Sequence, residues 1–168
     1  MIRTTLRALA ALAVISTPAF AHVTFEMSEA AAGSTYKAVV RVPHGCGDKA
    51  TQTLRVQIPE GFIDVKPMPK AGWKLETVTG TYARPHDEVT EGVTELVWSG
   101  GELPDAWYDE FVFRGKFSGT FKAGDTVFFP VVQECDGTDE AWIDTSGDEG
   151  ADMPAPSVTL TPATGHGH

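Results

Sequence analysis

Residues 53–58 alternate strictly: Leu54, Val56 and Ile58 are apolar, and Thr53, Arg55 and Gln57 between them are polar. A period of two is the signature of a strand with one face in a core. Residues 36–42, 73–78, 93–98, 110–117 and 126–133 are rich in β-formers and predict further strands. Shorter candidates are 22–27, 140–143 and 157–160. Turn signals separate them, among them Gly45-Cys46-Gly47, Pro59-Glu60-Gly61, Ser99-Gly100-Gly101, Gly124-Asp125 and Asp136-Gly137. Residues 81–92 read as a polar hairpin loop, and the acidic, Gly- and Pro-rich residues 144–156 as a surface loop. After residue 21 no segment has a sustained helical period. Roughly seven to nine short strands in a chain of this length predict an all-β sandwich of immunoglobulin or cupredoxin kind.

The first 21 residues do not belong to that pattern. Arg3 and Arg7 give a basic start, residues 8–15 are an apolar run, Pro18 breaks it, and Ala19-Phe20-Ala21 fits a small-x-small cleavage site. That is a secretory signal, with an apolar run too short to span a bilayer. The expected organisation is a signal peptide over 1–21, one domain over 22–161 and a flexible tail over 162–168. The processed chain is expected in the periplasm or secreted, with no membrane anchor.

Composition narrows the partners. The chain has 168 residues and a net charge of −10, and processing removes two arginines and makes it more negative. A nucleic-acid-binding module would carry a basic stripe instead, so no nucleic-acid partner is expected. An acidic exported domain suits cations better.

The chemistry concentrates at the cut. Cleavage after Ala21 puts His22 first, so one residue offers a free amine and an imidazole. The amine and imidazole Nδ1 can close a six-membered chelate ring on one ion. Cu(II) heads the divalent affinity order and accepts both nitrogens in a tetragonal plane. A carboxylate can complete the plane, and spacing alone does not choose which. His44 and His86 sit in predicted loops and are expected to face solvent. His166-Gly167-His168 could hold an ion loosely, at the entropic cost of ordering a tail. Met27, Met68 and Met153 are scattered, which speaks against a Cu(I) site. Cys46 and Cys135 are the only cysteines, and in an oxidising compartment two thiols in a small domain read as a disulfide. Soft metal ligation is the rival, and no CxxC spacing supports it.

The chain resembles YcnI-like copper-binding domains over residues 22–161. The likeness is carried by His22-Val23-Thr24-Phe25, Ile58-Pro59-Glu60-Gly61, Pro69-Lys70-Ala71-Gly72-Trp73, Asp109-Glu110-Phe111, Trp142 and Pro156-Ser157-Val158. The resemblance implies an exported β-sandwich that binds one Cu(II) in a single-histidine brace. His22 supplies both nitrogens, Glu110 is the preferred carboxylate with Asp109 and Glu26 in reserve, and Trp142 covers the ion from the second sphere. Trp142 also reads as a core residue, and Glu110 as a solvated strand end. The implied role is a copper chaperone or scavenger with a periplasmic copper-handling partner, and not an enzyme. A copper-dependent oxidase and a structural sandwich without metal are the alternatives. No second histidine stands at a strand position for a two-histidine brace, and no GxSxG or phosphate-binding glycine loop is present.

Overall fold

The computed structural model describes residues 22–148 and 150–163. The expected signal over 1–21 and the tail histidines His166 and His168 lie outside them. The described residues form strands and no helix: β1 (Thr24–Phe25), β2 (Glu29–Ala31), β3 (Thr35–Val42), β4 (Thr51–Gln57), β5 (Phe62–Pro67), β6 (Lys74–His86), β7 (Val89–Leu103), β8 (Asp109–Phe117), β9 (Thr126–Phe128), β10 (Val131–Cys135), β11 (Thr138–Trp142) and β12 (Ser157–Thr161). They pair as a sheet of order β1-β3-β8-β5, a second of order β11-β10-β4-β7-β6, and a small third of order β2-β12-β9.

The expected all-β architecture holds, with more strands than anticipated for local reasons. Residues 126–133 read as one strand but divide into β9 and β10, which belong to different sheets. Pro130 stands at the break, where its missing N–H suits a change of sheet. Strand β5 escapes the alternation pattern because Asp64 has φ 56° and the pairing with β8 shifts register between Ile63 and Lys66. Residues 81–92 form the expected hairpin, with a much shorter loop than anticipated. β6 and β7 pair as far as His86 opposite Val89, and Asp87 and Glu88 alone make the turn, at φ 47° and 70°. Two-residue hairpins favour positive φ at both positions, and Asp-Glu carries no glycine to announce it. Asp87 compensates by accepting from the Gly119 N–H at 2.8 Å and from Lys116 Nζ at 2.9 Å.

The predicted turn at 99–101 is also strand. Gly101 lies under the Trp73 ring, where a Cβ would come within 2.1 Å of it. Glycine there serves close packing.

The inward-facing residues meet in one core. Val40, Phe111 and Phe113 face Leu54, Leu96, Trp98 and Val131, all at most 1% exposed. Edge-to-face aromatic pairs run through it: Phe25 and Phe62 each lie 5.2 Å from Phe129. Such pairs add about 0.5–1.5 kcal/mol each beyond the area they bury. His86, expected in solvent, is 2% exposed. The paired strands run into the expected loop and turn the ring inward, edge-on to Tyr82 at 5.5 Å and 3.1 Å from Thr120 Oγ1.

Candidate metal centre

β1 is the edge of its sheet and fixes the start of the domain. Thr24 pairs with Arg41 and Phe25 with Val40. Val23, at 1% exposed, and Phe25 anchor this segment in the core. Their burial holds His22 at one end of the sandwich. The His22 ring lies 5.5 Å from that of Trp142, tilted by 58°. Trp142 closes β11 and is 4% exposed, so it is both a core residue and a wall beside His22. Its Nε1–H donates to Gln133 Oε1 at 2.7 Å. Gln133 Nε2 in turn donates to the His44 carbonyl at 3.0 Å and to Thr51 Oγ1 at 2.9 Å. The indole is therefore held by a fully buried amide with partners on three segments.

The candidate carboxylates lie on the sheet that carries β1. Arg41 stands opposite both Thr24 and Glu110, so β3 separates β1 from β8. Its guanidinium reaches Glu26 at 3.1 Å and Glu110 at 3.5 Å. Asp109 is held by Lys70 at 2.6 Å and accepts from the Glu110 N–H at 2.8 Å. Each of the three carboxylates thus has a cation against it. Among the described residues no three His, Cys, Asp or Glu side chains converge as a metal-binding cluster. The structure brings His22 to Trp142, and Glu26 to Glu110 through Arg41.

Cys46 and Cys135 form a disulfide, with S–S 2.05 Å, so neither is a soft metal ligand. Trp98 is buried in the core, Trp73 packs against its margin, and Trp107 is 66% exposed.

The family model for a domain of unknown function, DUF1775, matches residues 22–160 and so opens on His22. The chain belongs to the DUF1775 family. The resemblance read from the residues leads to the same family. The copper-binding protein CutI of Bacillus subtilis (strain 168) is 30% identical over 156 residues, covering 90% of this chain and 68% of its own. An uncharacterized protein from Nocardia farcinica, whose crystal structure has an immunoglobulin-like fold, superposes with a TM-score of 0.63 at 24% identity, over 83% of this chain and 98% of its own. The DUF1775 domain here is an immunoglobulin-like sandwich. No helix among its described residues is long and apolar enough to cross a membrane.

Two residues beside this end of the DUF1775 domain, Gln133 and Glu140, went unread in the sequence, and a third, His44, was misplaced. Gln133 went unread although the apolar Val131 and Cys135 flanking it at a period of two place it on the buried face. His44, expected in solvent, is held instead: its side chain is 28% exposed and its Nδ1 lies 3.6 Å from Asp105 Oδ1. Glu140 has a buried Oε2 with no hydrogen-bond partner. Burial pushes the Glu140 carboxyl above its usual range, with His44 opposing and Asp105 adding to the shift.

A carboxyl harder to ionise in the fold than in the unfolded chain stabilises the fold while protonated. That contribution is lost as pH rises through the folded-state pKa. Glu140→Gln is therefore expected to raise the melting temperature at pH 7 by about 2 °C and to leave it unchanged at pH 4. Thermal melts at both pH values check this, and an equal change at both would assign the effect to packing.

Proposed function

We propose that this chain is an exported Cu(II)-binding protein, a chaperone or scavenger that carries one ion at the N-terminus of its processed form. The observation that carries the reading is the His22 ring against Trp142, at the residue where the family match begins. A copper-binding relative at 30% identity supports copper as the cargo. While His22 is joined to Ala21 its nitrogen is an amide, whose lone pair is delocalised and a poor donor. Cleavage makes it an amine. The amine and Nδ1 then grip one ion from a single residue, and Trp142 shields one side of it from water, with some cation–π attraction.

Glu110 is the carboxylate we assign, with Glu26 and Asp109 as alternates. Arg41 already spans Glu26 and Glu110, so an incoming cation competes with the guanidinium for either carboxylate. With two nitrogens from one residue, coordination positions stay open for a recipient protein's ligands. That favours hand-off over storage and needs no turnover.

Arg41→Gln is expected to raise Cu(II) affinity about two- to tenfold, because it frees the carboxylates and removes a repelling charge. Competition against a chromophoric chelator measures this, and an unchanged affinity would show that neither Glu26 nor Glu110 binds the ion. The reading as a whole is tested by the mass of the exported protein. A first residue of His22 is expected, and any other start overturns it.

A further inference from the structure

The outer face of the β1-β3-β8-β5 sheet carries three cations in one row. Lys37 on β3 stands opposite Arg114 on β8, and Arg114 stands opposite Lys66 on β5. All three side chains are exposed. Neighbouring strands are about 4.8 Å apart, and like charges directly opposite one another destabilise a sheet. Counter-charges are plentiful in this chain, with 23 Asp and Glu against 13 Lys and Arg. Yet the ion pairs of the described residues engage Arg41, Arg55, Lys70, Lys74 and Lys116, and none engages the row.

A single unpaired surface lysine is ordinary. Three cations in register, in a chain of charge −10, are a local reversal of its field. Beside the row runs an apolar groove floored by Pro67, Met68, Pro69 and Val112, with Met68 53% exposed.

We propose that this face docks an acidic protein segment, whose carboxylates meet Lys37, Arg114 and Lys66 while an apolar side chain enters the groove at Met68 and Val112. The occupant follows from the charges and the shape. A concave groove takes a side chain, where a lipid headgroup layer would lie flat. The chain's overall negative charge repels an extended anionic membrane over the Debye length, whereas a short segment meets the local cations first. Lys37 lies four residues from Arg41 along β3, about 13 Å, so a partner docked here stands beside the end of the sheet that carries Glu110. The proposal does not rest on the copper reading, and its test contains no metal.

The probe is a fluorescein-labelled peptide of alternating Glu and Leu, about ten residues long, followed by anisotropy at low and high salt. Wild type is expected to bind it, more weakly as salt rises. Arg114→Glu is expected to lose at least about tenfold in affinity, and Lys37→Glu likewise. Lys122→Glu makes the same change in net charge at an exposed loop outside the row and is expected to stay within about twofold. Arg114→Glu replaces two like-charge pairs by attractive ones, so its melting temperature should equal or exceed that of wild type. No binding by wild type, equal losses in Arg114→Glu and Lys122→Glu, or a lower melting temperature for Arg114→Glu would each overturn the proposal. So would capture by phosphatidylglycerol vesicles with no peptide binding, which would make this a lipid-facing surface.

Discussion

Protein that begins at His22 is expected to bind one equivalent of Cu(II), and His22→Ala to weaken that binding by at least about a hundredfold, roughly 2.8 kcal/mol. The size follows from both nitrogen donors belonging to one residue. Alanine at this position keeps the amine and loses the imidazole. Acetylation of the His22 amine does the reverse, keeping the imidazole and turning the amine into an amide with no new amine in front of it. Either change leaves one nitrogen donor where there were two and opens the chelate ring, so both should fail to a similar degree. The buried flank of the site should survive both, because Trp142 is held by Gln133 and not by His22. Far-UV circular dichroism and melting temperature are therefore expected to change little, which separates lost ligation from lost fold. His44→Ala is the control, since that imidazole faces Asp105 and Gly45. Titration against a competing chelator, with the copper electron paramagnetic resonance spectrum as a second readout, measures all four proteins. Equal affinity in the processed protein, the His22→Ala variant and the acetylated form would show that His22 does not hold the ion.

How much of this was legible in the sequence depends on the range of the interaction. The alternation over 53–58 is a local signal, and it reappears as β4 with Leu54 and Val56 at 0% exposed. Trp142 was legible as an aromatic with two readings, core and site; the fold shows the first, at 4% exposed, and puts its ring 5.5 Å from that of His22. The β6–β7 hairpin was legible but its two-residue tip was not, because Asp87 and Glu88 adopt positive φ without glycine, and Asp87 is held by Lys116 and Gly119 from a distant strand end. That hidden turn is also why His86 was misplaced in solvent. The state of the carboxylates was illegible for a related reason. Arg41 meets both Glu26 and Glu110 only because β1, β3 and β8 lie side by side in one register, a fact about three separated segments. Residue types can nominate ligands, but only the sheet says which cation already occupies them.

Loss of the Cys46–Cys135 bridge is expected to cost about 3–5 kcal/mol of folding stability and to lower the melting temperature by more than about 10 °C. The bridge joins residues 89 apart, and closing so long a loop removes much of the unfolded chain's freedom. The local setting adds to this. Cys46 lies in a short turn after β3, bonded backbone to backbone with Lys49, and Cys135 ends β10. Thr51 and Gln133, both 0% exposed, sit beside the sulfurs. Without the covalent link the turn is tied to β10 mainly through the Gln133 bond to the His44 carbonyl. Thirteen-residue β6, fifteen-residue β7 and the aromatic core do not depend on the bridge, so the reduced protein should still fold at 25 °C. Gln133 also holds Trp142, so loosening the turn should reach the His22 end weakly, with Cu(II) affinity falling less than about tenfold. Urea unfolding followed by tryptophan fluorescence, with and without reductant and for Cys46→Ser/Cys135→Ser, measures the first effect. Copper titration of the same double variant measures the second. Coincident unfolding curves for oxidised and reduced protein would show that the sandwich is stable without its staple, and a hundredfold loss of copper affinity would show that the turn carrying His44 belongs to the site.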